Sequence, residues 1–522
     1  MKAPKSNTFP LPHDRRFSCP FSMLVPTLAM DLVPGDKVRL NCASVVRLPP
    51  LVAPIMDSVT VYNHYFFVPN RLTWKNFESF ITGGEDGADT SVAPTIAPPT
   101  SQGIMSIWDF FGLPIDQNTN PTVSALPFAA YQLIWNEYYR DQNLQTGTSD
   151  FPDTDLVDGD NNANTDLWKR RFRARNHDYF SSSLPWTQKG PEVTIPLGDR
   201  APLNFDNGAT SSATKILKAG GGTFSGTGQL ALRADAPISG LSNLDLIVDE
   251  GGSVFTDATL DNSAHLYADL SNATAATINE LRTAYRLQEW LERNARGGTR
   301  YSESIMAHFG VKSPDARLNR PEFLGGSKYP ISISEVLQTS ETASGGNTPQ
   351  GNMAGHGIAA GSGKGFSYYA REHGYIIGIM SIRPKTSYFQ GIPKHFQKFD
   401  RFDYFWPEFA NLGEQPVYNR EIYYDGNDQP GNDEIWGYVP RYSEYKYIPS
   451  SVHGEFRTNL DIWHLGLKFA SRPALNTAFI QGSPQDVSRV FAVTGTESQA
   501  YVHLHHKISA NRPMPYFGVP RT

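Results

Sequence analysis

Several stretches of the chain alternate apolar and polar residues at every second position, which is the pattern of a β-strand with one buried face. In residues 37–42, one face of such a strand carries Val38, Leu40 and Cys42, and the other face is polar. Residues 59–68 are apolar or aromatic on both faces, which predicts a central strand that is buried on both sides. Further strands are predicted at residues 375–382, 463–469, 489–493 and 501–508.

Two other stretches repeat apolar residues at helical spacing. Residues 127–140 begin with a proline suited to a first helical turn and carry a stripe formed by Tyr131, Ile134, Trp135 and Tyr138. A second helix is predicted to begin at a capping box of Thr277 and Glu280 and to end at Gly297-Gly298. Its apolar side comprises Leu281, Ala284, Leu287 and Leu291.

Between these elements lie polar or glycine- and proline-rich segments that predict irregular structure. Residues 1–34 are interrupted by prolines and predict an N-terminal arm, which in an assembling protein lies along a neighbour. Residues 199–277 are rich in small and polar residues with weak alternation, and they predict an inserted lobe with a few short strands; a disordered linker is the alternative. Loops are predicted at residues 82–103, 150–166 and 340–365.

Composition supports a mainly β protein. The 522 residues include 44 glycines and 38 prolines, which favours many turns and short strands over helical bundles. A net charge of −6 indicates that any contact with nucleic acid is local. Cys19 and Cys42 are predicted to be free thiols in a reducing cytoplasm. Neither a signal peptide nor an apolar run of membrane-spanning length is evident, so no membrane insertion is expected.

The motifs that resemble chemical sites are weak. GSGKG at 361–365 lacks the spacing of a phosphate-binding loop, and GHGIAA at 355–360 does not follow a predicted strand, so a mobile loop is the better interpretation. His503, His505 and His506 lack acidic or thiol partners nearby in the sequence. The acidic residues Asp425, Asp428, Asp433 and Glu434 lack the order of a calcium-binding loop. We predict neither a metal site nor a cofactor.

Two segments combine aromatic and charged residues in ways typical of contact surfaces. Binding hot spots are rich in Tyr, Trp and Arg. The candidates for a subunit interface are Trp436, Tyr438, Arg441, Tyr442, Tyr445, Tyr447 and Trp463, with further aromatics in the block 388–406, although about half of such residues are expected to fill the core. A basic segment places five cations within seven residues, Lys169, Arg170, Arg171, Arg173 and Arg175, and predicts contact with single-stranded DNA or, alternatively, a solvated or subunit-bridging face.

The string GYVPRYSEYKYIPSSVHGEFR at 437–457, followed by LDIWHL, carries a family resemblance. Further strings in the same order support it, among them LVPGD at 32–36, PIMDSVTVYNHYFFVPNRLTW at 54–74 and HDYFSSSLPWTQKGP at 177–191. Together they resemble the major capsid proteins of the Microviridae, the small icosahedral single-stranded-DNA bacteriophages, in the gokushovirus branch. The resemblance lapses across residues 200–275, and related proteins carry there a variable insertion that projects from the shell at the threefold axes.

This resemblance implies a single domain over residues 1–522, an eight-stranded viral jelly-roll barrel with long loop insertions and a few short helices. It implies a structural protein without catalytic residues that forms pentamers and a 60-subunit T=1 shell around circular single-stranded DNA. The implied partners are other copies of the chain, DNA-binding and pilot proteins of the virion, and a host surface receptor reached by the lobe. Assembly is expected in the bacterial cytoplasm. The alternative is an all-β enzyme or binding protein acting on carbohydrate, which would need two carboxylates facing a cleft.

Overall fold

The computed structural model describes residues 6–147, 156–193, 278–339, 351–493 and 497–517, together with the backbone of seven short strands between residues 203 and 268. The chain divides into two units. The main unit consists of Met1–Lys189 and Glu292–Thr522, and the second unit consists of Gly190–Leu291.

The secondary structure is mainly β. In chain order the strands are β1 (Asn7–Pro10), β2 (His13–Cys19), β3 (Val25–Leu32), β4 (Lys37–Arg47), β5 (Val59–Pro69), β6 (Thr95–Ile96), β7 (Val123–Ser124), β8 (Leu203–Asp206), β9 (Ile216–Lys218), β10 (Gly222–Thr223), β11 (Leu230–Ala231), β12 (Leu246–Asp249), β13 (Phe255–Leu260), β14 (His265–Ala268), β15 (Glu322–Leu337), β16 (Met353–Tyr369), β17 (Gly374–Pro384), β18 (Glu414–Tyr418), β19 (Ile435–Pro440) and β20 (Ala500–Arg512). The helices are α1 (Phe77–Thr82), α2 (Ile107–Phe110), α3 (Leu126–Ile134), α4 (Ile278–Gly297), α5 (Tyr301–Phe309), α6 (Asn419–Ile422), α7 (Gln429–Asn432) and α8 (Thr477–Ile480).

One antiparallel sheet organises the main unit. Its order is β1-β20-β4-β16-β15-β5-β17-β3, and β2 also pairs with β20. The long strand β15 pairs with β5 through residues 322–331 and with β16 through residues 332–337, so the sheet curls where β15 passes from one neighbour to the other. The curled sheet is consistent with a jelly-roll barrel, which confirms the predicted fold class. Within the described residues this sheet has nine strands, since β1 and β2 both lie beside β20.

The strongest sequence patterns correspond to the strands that carry the core. In β4, Val38, Leu40 and Cys42 are buried while their neighbours face outward, as the alternation predicts. Strand β5 lies between β15 and β17, and Tyr65 and Phe67 on it are almost inaccessible to solvent, which confirms a central buried strand. The predicted strands at 375–382 and 501–508 are confirmed by β17 and β20.

The helix predicted at 127–140 is α3, which continues into a π-helical turn at Trp135–Tyr139. Tyr131, Ile134 and Trp135 are buried in the main core, and the Tyr131 hydroxyl donates to the carbonyl of Leu24 at 2.8 Å. The second predicted helix is α4; its proposed capping residue Thr277 lies outside the described residues.

The glycine-rich loop predicted at 340–365 is wrong where it is described. Residues 353–369 form β16, which pairs with both β15 and β4. A Cβ at Gly361 would lie 2.6 Å from the Tyr329 ring, and a Cβ at Gly365 would overlap the carbonyl oxygen of Leu40. The glycines therefore permit close approach of neighbouring strands within the sheet. Because they are placed for this reason, the sequence of β16 lacks the apolar alternation of an ordinary strand. The motifs GSGKG and GHGIAA lie in this strand, so the prediction of a mobile loop there is also wrong.

Two predicted strands are wrong. Residues 484–490 form a 3-10 helix, and a single bridge joins Phe491 to Leu51. Residues 464–469 are irregular because their amides find other acceptors: Leu465 donates to a carboxylate oxygen of Asp57 at 3.1 Å, and Leu467 to the carbonyl of Ser387 at 2.9 Å. Apolar alternation predicted burial there, and Leu465 and Leu467 are buried, but it did not predict a hydrogen-bonded ladder.

The interval 1–34, expected to form an arm, supplies β1, β2 and β3 to the main sheet. Phe21, Met23 and Leu24 are buried in the core beside these strands. An additional contact of this interval with a neighbouring subunit stays a prediction.

In the second unit, β10-β9-β13-β12-β11 form one small sheet and β14 pairs with β8. The lobe predicted at residues 199–277 falls inside the span of this unit. Its projection from a shell stays a prediction.

Candidate subunit interface

A second cluster of buried aromatics in the main unit supports a group of irregular segments. Phe180 packs edge-on against Tyr388 and Trp436, with ring centroids 4.8 and 5.8 Å apart. The Trp436 indole donates to the carbonyl of Pro473 at 2.9 Å, which satisfies its polar atom. Strands β18 and β19 pair beside this cluster. They adjoin two segments of the chain, residues 396–412 after β17 and residues 445–448 after β19.

These two segments display a broad set of exposed apolar side chains, here called the aromatic face. Its members are Phe396, Phe399, Phe402, Tyr404, Phe405, Trp406, Leu412, Tyr445, Tyr447 and Ile448. Phe399 is 83% exposed and Ile448 is 93% exposed, so neither contributes to the core of the subunit. Exposed apolar side chains concentrated on two segments mark contact sites, because exposed rings gain free energy when a partner removes them from water.

The two segments are fixed to each other by specific contacts. The backbone amides of Phe405 and Trp406 donate to the hydroxyls of Tyr445 and Tyr442, each at 3.3 Å. The Lys398 ammonium lies 3.6 Å from the Tyr445 ring centroid and 3.8 Å from a carboxylate oxygen of Glu444. Cation–π and ionic contacts at this partly buried lysine hold the rings in place before a partner arrives, which lowers the entropy cost of binding.

The seven interface candidates differ in exposure. Trp436 and Tyr442 are buried and fill the subunit. Tyr445 and Tyr447 are more than half exposed and belong to the aromatic face. The others, Tyr438, Arg441 and Trp463, are partly exposed. Which of them contact another subunit stays a prediction. Leu412 and Ile448 were missed, since isolated aliphatic residues in loops give no periodic signal.

The basic segment, residues 169–175, turns several of its cations inward. Arg171 is buried, donates to the Gln132 side chain at 2.6 Å and to Asp166 at 3.2 Å, and stacks 4.1 Å from the Trp135 ring centroid. Arg175 forms an ion pair with Asp486 at 2.8 Å and donates to the carbonyl of Phe479. These two guanidinium groups are occupied within the subunit, which does not support the predicted DNA contact for them.

The other three cations have different surroundings. Arg173 lies over the Tyr62 ring and donates to the Ser381 hydroxyl at 3.0 Å. Lys169 is 62% exposed and lies 3.4 Å from Asp166, whereas Arg170 pairs with Glu497 at the surface. Lys169 and Arg170 are therefore the accessible members of the segment. The flanking rings of Trp168 and Phe172 pack against the core.

Two of the three histidines and two of the acidic residues are paired with residues outside their own motifs. His505 lies 2.7 Å from Asp14 and His503 lies 3.6 Å from the same carboxylate. His506 is buried on the opposite face of β20, where burial lowers its pKa to about 3. Asp428 pairs with Arg472, and Asp433 pairs with Arg420. In the part of the chain that the structure describes, no three His, Cys, Asp or Glu side chains are grouped to hold a metal ion.

A curled sheet consistent with a jelly-roll barrel, together with an exposed aromatic face, is compatible with a structural protein of the viral shell class. The family model "Capsid protein (F protein)" matches residues 3–522, and the chain therefore belongs to this family. It is 37% identical to Capsid protein VP1 of Chlamydia phage 1, over 99% of this chain and 95% of the relative. It is 39% identical to Capsid protein VP1 of Bdellovibrio phage phiMH2K, over 96% and 92%, and 33% identical to that of Spiroplasma virus 4, over 98% and 94%.

These comparisons confirm the resemblance to the gokushovirus capsid proteins. The protein is a structural capsid protein of a bacteriophage virion and not an enzyme, so the alternative of a carbohydrate-active enzyme is wrong. Across the described residues, no helix combines the length and the apolar character that crossing a membrane requires.

Proposed function

We propose that the protein is the major subunit of a T=1 icosahedral shell of 60 copies, built from pentamers, that encloses circular single-stranded DNA. The observation that supports self-assembly most directly is the aromatic face, which exposes ten large side chains on segments held in fixed positions. Family membership supports the same role. A repeated contact between copies closes a shell when its geometry returns to the starting subunit.

Assembly is tested by making the aromatic face polar where the subunit does not need it. The double variant Phe399→Ser with Ile448→Ser removes the two most exposed of its side chains. We expect soluble subunits that no longer form pentamers or shells in light scattering and electron microscopy. The matched control is Ile104→Ser, which removes an apolar side chain that is 72% exposed outside the aromatic face. Normal shells from the double variant would contradict a role of this face in assembly.

The inserted lobe, residues 199–277, is proposed to project from the shell at the threefold axes and to contact a host surface receptor. The resemblance lapses across this interval, and a polar stretch of small residues suits an exposed segment. Deletion of its middle is expected to leave shells intact and to abolish attachment to cells. Failure of the deleted chain to fold would contradict the proposal.

The accessible cations Lys169 and Arg170 are proposed to contact the packaged DNA. Lys169 is exposed and Arg170 is partly exposed, and each is paired with a carboxylate that a phosphate could replace. Two neutralised phosphates on single strands give a slope of about −1.4 in log affinity against log salt concentration. The variant Lys169→Gln with Arg170→Gln should give normal shells that release DNA at lower salt. Other virion proteins, with DNA-binding and pilot roles, are proposed to join the shell in the host cytoplasm.

A further inference from the structure

A cleft of about 950 Å³ opens in the main unit beside the basic segment. Its walls come from β5, α5, β15 and the end of β17. Pockets that hold small ligands have volumes of about 300–1,000 Å³, so this cleft can accept a molecule of nucleotide size. Five cations and two carboxylates line it, namely Arg173, Arg175, Lys312, Arg320, Arg383, Glu303 and Asp315.

The two carboxylates are already paired with other arginines. Glu303 accepts from Arg300 at 2.9 Å, and Asp315 lies 3.3 Å from Arg320. Arg175 is likewise compensated by Asp486. The positive charge that is left in the cleft therefore comes from the partly buried Arg173 and Arg383 and from the exposed Lys312.

Arg173 and Arg383 form an uncompensated cationic pair. Their guanidinium carbons lie 4.2 and 5.2 Å from the Tyr62 ring centroid. Arg173 donates to Ser381 Oγ and Arg383 to the carbonyl of Ala174, at 3.0 and 3.1 Å. Among the described residues, neither guanidinium has a carboxylate within 4.0 Å, and the buried Nε of Arg383 has no hydrogen-bond partner.

Burial and the positive charge of this pair lower the pKa of two titratable groups in the cleft. Burial, and then the charge of Arg383, lower the pKa of Arg173 to about 10. Burial and the same two guanidinium groups lower the pKa of His64 to about 4, so this histidine is neutral and leaves the positive charge on the arginines. Two like charges held together away from water cost free energy unless an anion compensates them. A protein with a net charge of −6 has no general excess of cations that would explain such a pair.

We propose that this cleft binds the phosphate group of a nucleotide, with Arg173 and Arg383 as its donors. Planar guanidinium groups match phosphate oxygens in pairs of charge-assisted hydrogen bonds. The Phe323 ring lines the same cleft and is 47% exposed, which offers a surface on which the base can stack. A free nucleotide and a nucleotide unit of packaged DNA both offer a phosphate and a base to this cleft. Only the assignment to packaged DNA rests on the proposed function.

The test is calorimetric titration of the full-length protein with inorganic phosphate, with thymidine monophosphate and with a thymidine oligonucleotide. Arg383→Gln is expected to weaken the binding of all three ligands by about tenfold or more, since it removes charge-assisted hydrogen bonds to the phosphate. The matched control is Lys385→Gln, which removes an exposed cation just after β17 that does not line this cleft. The control should change affinity by less than about twofold.

Two further variants test base stacking and phosphate binding separately. Phe323→Ser should weaken the nucleotide and the oligonucleotide but leave inorganic phosphate unchanged. Arg383→Lys keeps the charge but loses the paired hydrogen-bond geometry, so it should also weaken binding. It provides the test if the Gln variant does not fold. Equal affinities for wild type, Arg383→Gln and Arg383→Lys would overturn the proposal and leave a structural stack on Tyr62.

The source of the phosphate follows from the ligand series. Binding of phosphate and the mononucleotide by the free subunit, with no change in the DNA content of Arg383→Gln shells, assigns the site to a free nucleotide. Loss of DNA from normally shaped Arg383→Gln shells assigns it to the genome. A wild-type protein that binds phosphate but never forms shells would contradict the proposed function and retain the site.

Discussion

The basic segment and the aromatic face reverse the usual distribution of residue types between surface and interior. In the basic segment, Arg171 and Arg175 point into the subunit, where carboxylates, carbonyls and rings surround them. In the aromatic face, Phe399 and Ile448 point into solvent. A cation can therefore be structural when acceptors and rings inside the subunit surround it, whereas rings without internal partners indicate a surface available to another molecule.

Substitutions in the two regions should affect different properties, the stability of the subunit in one case and the binding of a partner in the other. Removing a partner from a buried ion pair leaves an isolated charge inside the protein, so the subunit itself is destabilised. Removing an exposed ring leaves the subunit unchanged and affects only what binds to it. Substitutions in the two regions should therefore separate stability from assembly.

The largest loss of stability is expected for Arg171→Met. The change leaves Asp166 without its buried partner and Gln132 without a donor, which should cost about 3–5 kcal/mol of unfolding free energy. The measurement is urea denaturation of the free subunit. Lys169→Met is the control, because it approaches the same Asp166 from the surface and should cost less than about 1 kcal/mol. Equal losses would contradict the structural role of Arg171.

The sheet interior provides a third environment, in which the absence of a side chain is the requirement. Gly365 lies at an irregularity in the pairing of β16 with β4, and a methyl group there would overlap the Leu40 carbonyl. Gly365→Ala is expected to lower the unfolding free energy by about 1–3 kcal/mol in the same denaturation assay. Gly426→Ala has open space around its Cβ and should be neutral. A neutral Gly365→Ala would show that the strands can separate locally at no cost.

Acid should destabilise the interior through His506, whose two ring nitrogens are buried without hydrogen-bond partners. Burial and the nearby charges of His13, Arg15 and His505 lower its pKa to about 3 in the folded state, against about 6.5 in the unfolded chain. The unfolded state therefore binds the proton first, and stability falls as the pH drops below about 6.5, by up to about 1.4 kcal/mol per pH unit.

The measurement is the urea midpoint of the wild type and of His506→Phe at pH 7 and pH 5. The wild type should lose more stability than the variant over this interval. Tyr501→Phe is the control on the exposed face of β20 and should retain the wild-type pH dependence. Identical pH dependence in wild type and His506→Phe would contradict the contribution of His506.

The sequence predicted those parts of the fold in which local pattern and tertiary contact agree. Strands β4, β5, β17 and β20 alternate or are apolar throughout, because each has a face against the core. Strand β16 was missed because its glycines are required by close contacts with residues such as Leu40 and Tyr329, which are more than 30 positions away along the chain. The inward direction of Arg171 was missed for the same reason, since Gln132 supplies an acceptor from α3. Composition located the aromatic block, but only the fold showed that Trp436 is internal and Tyr447 external.

The smallest effect on subunit stability is expected in the aromatic face, for Phe399→Ser. Its ring is 83% exposed, so the substitution removes little buried apolar area, and surface changes of this kind usually stay within about 0.5 kcal/mol. Denaturation of free Phe399→Ser subunits should therefore overlay that of the wild type, while the concentration needed for assembly rises. Phe405→Ser is the informative comparison: its ring is about half exposed and packs 5.0 Å from the Tyr442 ring, so it should lose both stability and assembly. If Phe399→Ser instead destabilised the free subunit as much as Phe405→Ser, the aromatic face would be part of the core, and the contrast with the basic segment would fail.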